Sequence, residues 1–170
     1  AAARAARCWS SGHNLENHNM TSYRHWRIER DSDGLHWLYF DKAGESTNTF
    51  SADVMDELSR LLDELRDQSL RGVIIRSGKT NGFVAGADVA EFTVISTPDD
   101  AMTLVRRGWK TFEKLASLPF PTVALIKGFC MGGGLELALA CRYRVAVDDP
   151  GTRFALPEVL LGIIPAWGGM

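Results

Sequence analysis

The stretch Thr122–Ala140, reading TVALIKGFCMGGGLELALA, decides the fold. Its first part, Thr122-Val123-Ala124-Leu125-Ile126, is a continuous apolar run, the pattern of a strand buried on both faces. Gly128 to Gly134 is too dense in glycine for a long regular element and reads as a tight turn. Leu135 to Ala140 is almost wholly apolar, so a short helix there has to be buried. A strand that passes through a glycine turn into a buried helix is a unit of α/β architecture.

The alternation continues on both sides. Gly72-Val73-Ile74-Ile75-Arg76 reads as another buried strand, followed by a loop from Ser77 to Gly86 rich in Gly and Asn. Before it, Val54, Leu58, Leu61, Leu62 and Leu65 recur at helical spacing, with Ser51 as N-cap and Asp53, Asp56 and Glu57 at the positive end of the dipole. A second helix starts at Thr97-Pro98-Asp99-Asp100, a capping box with Pro in the first turn. Met102, Val105, Trp109, Phe112 and Leu115 are its predicted apolar face, and Pro119 and Pro121 end it. His25–Arg30 and Leu35–Phe40 form a predicted hairpin around Asp31-Ser32-Asp33-Gly34. Arg144–Val147 and Arg153–Ala155 are the last predicted strands, and no internal sequence repeat is visible.

The chain has 170 residues, 45% of them apolar, which suits one domain or part of one with a real core. A net charge of −2 supplies no basic field for nucleic acid. Cys8, Cys130 and Cys141 are odd in number and widely spaced, which argues against a disulfide framework or a zinc site and suits a reducing compartment. No apolar run reaches transmembrane length. Residues 1–19 are small and polar and read as a disordered extension or a cloning remnant, with Met20 as the start of the domain proper. The domain is assigned to residues 20–170, and its stop at Gly168-Gly169-Met170, inside a glycine-rich turn, reads as the N-terminal portion of something longer.

Three segments carry chemistry. Glycines at 132–134 open a helix, where backbone N–H groups lack internal partners and sit at the positive dipole end. That suits a developing oxyanion, although the triplet alone reads equally well as a packing turn. It is not a phosphate loop, since no Gly-Lys-Ser or Gly-Lys-Thr follows, and the dinucleotide spacing fails. Glu136 and Glu158 are each the lone charge of an apolar run, which is costly unless each has a partner or a task. Two such carboxylates suit acid/base work, while a dipole-held or solvated Glu is the ordinary alternative for each. Phe83-Val84-Ala85-Gly86-Ala87-Asp88 crowds small residues after a strand, with Asp88 placed to cap a short helix.

Taken in order, Ala85–Asp88, Gly132-Gly133-Gly134-Leu135-Glu136 and Leu156–Val159 with Leu161–Pro165 resemble the enoyl-CoA hydratase/isomerase, or crotonase, family from about Trp26 to Met170. The resemblance implies an α/β crotonase-like fold, a ββα superhelix, with its C-terminal helices missing here. It implies oxyanion-hole N–H groups at Ala87 and Gly133, and catalytic carboxylates at Glu136 and Glu158. Substrate contacts are implied at Ala85, Gly86, Asp88, Val89, Gly132 and Pro157, with no metal. Having both glutamates favours hydration of a 2-enoyl-CoA thioester, with double-bond isomerisation as a side activity. An isomerase or hydrolase using the same hole, or a non-catalytic acyl-CoA-binding module, are the rival readings.

Tyr39-Phe40-Asp41, Phe83–Phe92 and Cys141–Arg144 resemble most the multifunctional fatty-acid oxidation branch of that family, in which a 3-hydroxyacyl-CoA dehydrogenase half follows. That implies no cofactor in this segment, coenzyme A as part of the substrate, and NAD only where the dehydrogenase half follows. It further implies a homo-oligomer or a thiolase-subunit partner, and a bacterial cytoplasmic or a mitochondrial-matrix location. Pro165-Ala166-Trp167-Gly168-Gly169 departs from the family's Pro-Gly-x-Gly-Gly, and Trp167 is expected to reshape the acyl pocket.

Overall fold

The computed structural model describes residues 23–169, so the expectations for residues 1–19, Cys8 and Met20 lie outside the described residues. Strands β1 (Trp26–Arg30) and β2 (His36–Phe40) pair antiparallel as the predicted hairpin. The Asp31 carboxylate closes their turn, accepting the Asp33 and Leu35 N–H groups on Oδ1 and the Trp37 indole N–H on Oδ2 at 2.8 Å. Helix α1 (Ala52–Arg66) follows, then β3 (Val73–Ser77) and β4 (Gly82–Val84). A 3₁₀ turn η1 (Val89–Val94) leads into α2 (Pro98–Ala116). Then come β5 (Thr122–Ile126), β6 (Phe129–Met131), α3 (Gly133–Ala140), β7 (Tyr143–Ala146), β8 (Arg153–Ala155) and a second 3₁₀ turn, η2 (Pro157–Leu161).

Two sheets organise these elements. The larger has the order β1-β2-β3-β5-β7, parallel from β2 onward, and the smaller has the parallel order β4-β6-β8. Each of β3–β4, β5–β6 and β7–β8 therefore gives one strand to each sheet before the chain turns into a helix or 3₁₀ turn. This is the ββα arrangement, in an α/β chain, that the sequence led one to expect.

The small sheet corrects the sequence reading. Ser77–Gly86 and Gly128–Gly134 were expected to be loop and turn, yet they hold β4 and β6. Three-residue strands are too short to show a period. Their glycines are there for contact: a Cβ on Gly82 would lie 2.4 Å from the Phe129 ring, and one on Gly134 would lie 2.6 Å from the Val84 side chain and carbonyl oxygen.

The core lies between the large sheet and the helices. Leu58, Leu61, Leu62 and Leu65 of α1 are buried as the spacing predicted. Ser51 occupies the N-cap position, but its hydroxyl donates to Asp53 at 2.5 Å and does not cap the helix. The Ala52 N–H donates instead to the Glu91 carboxylate of η1 at 2.6 Å. The Thr97/Asp100 capping box forms as read. The expected face of α2 is only partly right: Phe112 and Leu115 are buried, but Met102 and Trp109 are 44% and 48% exposed. Gly108 and Thr111 take buried positions, and the Trp167 ring presses onto the helix at Gly108.

Candidate active site

The first half of the site is the loop after β4. Gly86 has φ +113°, a conformation that favours glycine. The Phe50 N–H donates to the Gly86 carbonyl at 2.8 Å and the Asp88 N–H donates to the Phe50 carbonyl at 2.9 Å. Successive peptide groups of an extended segment face opposite ways. The Ala87 N–H between them thus faces away from Phe50, and Ala87 lines a cavity.

Asp88 anchors this loop from behind. Its Oδ1 accepts the Ala90 N–H at 3.0 Å, capping η1, and its Oδ2 accepts from Lys42 Nζ at 2.7 Å. Lys42 is buried and also donates to Thr49. The Lys42 hydrogen bond holds the Asp88 carboxyl below the usual aspartate range. A depressed carboxylate stabilises the fold above its unfolded pKa, about 3.9, and that contribution is lost as pH falls through the folded value. Lys42→Met should lower the urea midpoint near neutral pH, and the gap to the parent should narrow once pH drops below about 4. A gap that stays constant with pH would show that the ion pair does not stabilise the loop.

The second half is the turn from β6 into α3. Gly132 has φ +51°, and its N–H donates to the Ala155 carbonyl at 2.9 Å. A Cβ on Gly86 would lie 3.7 Å from the Gly133 nitrogen, so the two small-residue loops abut. Among the described residues neither the Ala87 nor the Gly133 N–H donates a hydrogen bond, and both residues line the same cavity.

The two carboxylates come from different elements, α3 and η2. Glu136, in the first turn of α3, is 3% exposed. Its Oε1 accepts the backbone N–H groups of Trp167 at 2.7 Å and Gly169 at 3.0 Å. Burial raises its pKa above the usual glutamate range, the two N–H donors oppose that rise, and the charge of Glu158 adds to it. Glu158, in η2, is 8% exposed, and its buried Oε2 has no hydrogen-bond partner among the described residues. A Cβ on Gly132 would lie 3.0 Å from Glu158 Oε1, so the carboxylate packs closely over this glycine.

The cavity between these groups measures about 390 Å³, within the range of small-molecule sites. Ala85, Gly86, Ala87, Val89, Gly132, Gly133, Glu136, Pro157 and Glu158 all line it. Asp88 does not line it; its carboxylate points to Lys42. Phe50 went unnoticed in the sequence, where it follows a polar loop with no periodic neighbour. Among the described residues no group of three or more His, Cys, Asp and Glu could hold a metal ion, and no helix is long and apolar enough to cross a membrane.

The family model described as enoyl-CoA hydratase/isomerase matches residues 38–170. The fatty acid oxidation complex subunit alpha of Vibrio vulnificus is 44% identical over 151 residues, covering 88% of this chain and 21% of that protein. The protein of the same description from Shewanella oneidensis is 45% identical over 145 residues, covering 85% of this chain and 21% of that one. The chain thus spans about a fifth of the length of these curated relatives. Among solved structures, Pseudomonas aeruginosa DspI superimposes with a TM-score of 0.80 at 27% identity, over 91% of this chain and 57% of that one. An enoyl-CoA hydratase from Bacillus anthracis does so with a TM-score of 0.78 at 28% identity, over 85% of this chain and 55% of that one.

Proposed function

The chain belongs to the enoyl-CoA hydratase/isomerase family, and from that premise we propose that its cavity adds water to 2-enoyl-CoA thioesters, giving 3-hydroxyacyl-CoA in fatty-acid β-oxidation. One observation carries the reading: two buried carboxylates, Glu136 and Glu158, face one cavity with two undonated backbone N–H groups.

The geometry fits the charge flow. Attack of water on C3 moves an electron pair through C2 onto the thioester oxygen. The N–H groups of Ala87 and Gly133 are preorganised for that oxyanion, and one such donor is typically worth roughly 3–4 kcal/mol. One carboxylate accepts a proton from the attacking water and the other delivers a proton to C2, so water adds with no net proton change. Glu136 keeps its orientation through its two backbone donors, which leaves Oε2 for water. Glu158 lines the same cavity, and its Oε2 has no hydrogen-bond partner among the described residues. No redox group or metal enters this chemistry; coenzyme A is the handle of the substrate.

The relatives named fatty acid oxidation complex subunit alpha support placement in a multifunctional oxidation protein of bacterial cytoplasmic type. A dehydrogenase half and a thiolase-subunit partner belong to that proposal. The test is incubation of the protein with a 2-enoyl-CoA and, separately, a 3-enoyl-CoA. Formation of 3-hydroxyacyl-CoA from the first supports hydration. A double-bond shift on the second with no hydration of the first would make it an isomerase, and binding with neither product a non-catalytic module.

A further inference from the structure

The Trp167 ring stands between two spaces. On one side is the catalytic cavity, whose apolar part includes Phe92, Leu104 and Val105. On the other is a chamber of about 10 Å³ bounded by Phe50, Met55 and Gly108. Ala87, Phe92, Leu104 and Trp167 line both and together form the partition, with the indole its largest side chain. A chamber of that size is at the limit for a single water and takes no methylene chain.

The partition is held on several sides. Phe112 and Phe50 meet the indole edge-on, with ring centroids 5.6 and 6.1 Å away. Beneath it the ring occupies the space of absent side chains: a Cβ on Gly108 would lie 2.2 Å from Trp167 Cε2, and one on Gly133 2.5 Å from Cζ3. The ring therefore has no room to retreat toward α2. Its own backbone N–H fixes Glu136, so the wall is in register with a proposed catalytic carboxylate.

We propose that the Trp167 indole is the end wall of the acyl site and sets the longest acyl tail that the cavity accepts. The inference rests on the acyl-CoA reading above and adds the residue that selects among acyl-CoAs. Shortening the wall joins the cavity to the chamber behind it. Pushing the wall forward shortens the cavity.

The experiment measures binding of saturated acyl-CoAs of increasing tail length by titration calorimetry, and kcat/KM for the matching 2-enoyl-CoAs. The variants are Trp167→Leu, which keeps an apolar filler and the backbone N–H to Glu136, and Gly108→Ala, whose methyl drives the indole toward the cavity; circular dichroism verifies that each folds. Trp167→Leu is expected to move the optimum to longer tails, by roughly tenfold or more in the long-to-short ratio for each methylene admitted. Gly108→Ala is expected to move it to shorter tails. A folded variant of either kind that keeps the parent's order of preference overturns the wall. If the parent binds no acyl-CoA at all, the functional reading falls first and the wall falls with it. Binding with unchanged length dependence sinks the wall alone.

Discussion

Glu158→Gln is expected to lower kcat for 2-enoyl-CoA hydration by about 10²- to 10⁴-fold, the usual worth of a positioned acid or base, with little change in acyl-CoA binding. The substitution keeps shape and removes the titrating group. Glu158 Oε2 is buried with no protein partner among the described residues, so the new amide breaks no hydrogen bond within the fold. Stability should accordingly hold while turnover collapses. An interaction made only in the transition state lowers kcat and kcat/KM together. Near-normal turnover, or a rise in KM alone, would remove Glu158 from the acid/base pair. The pH profile gives an independent reading. The Glu136 pKa is raised chiefly by burial and further by the Glu158 charge. Removing that charge lets Glu136 ionise at lower pH, so any residual acid limb that belongs to Glu136 should shift downward in the variant.

Phe50→Ala is expected to cost about 3–5 kcal/mol of stability, the range for deleting a buried aromatic, read as a fall in the denaturant midpoint. Phe50 is fully enclosed, stacks on Phe40 with centroids 5.3 Å apart, and meets Phe112 and Trp167 edge-on. Its backbone also holds Gly86 and Asp88 on either side of Ala87. Those backbone bonds survive the substitution, but the ring that backs Trp167 is lost. Catalysis should therefore fall as well in whatever fraction remains folded. A loss well under 1 kcal/mol would show that the neighbouring rings close over the void.

Much of the architecture was readable residue by residue. The leucines of α1 recur at helical spacing, β3 and β5 are apolar runs, and Thr97 with Asp100 spells a cap. These are local signals, set by burial periodicity and by orphan backbone groups. Of the small sheet only β8, the predicted Arg153–Ala155 strand, was readable; β4 and β6 were not, because each has three residues and draws its hydrogen bonds from distant strands. The repeat of strand, strand and helix is likewise geometric, with no repeat in the letters.

The sequence by itself determined the candidate groups: two lone carboxylates in apolar runs, two clusters of small residues, and an order of motifs that matches one family. It did not determine their meeting. Glu136 and Glu158 lie 22 residues apart along the chain, and Ala87 is farther still from Gly133. Their convergence required β4, β6 and β8 to align in one sheet, so that the turn after each opens on the same cavity. The raised proton affinity of Glu136 and the wall made by Trp167 exist only after that closure. Desolvation and steric contact are properties of the packed neighbourhood, and no window of sequence contains them.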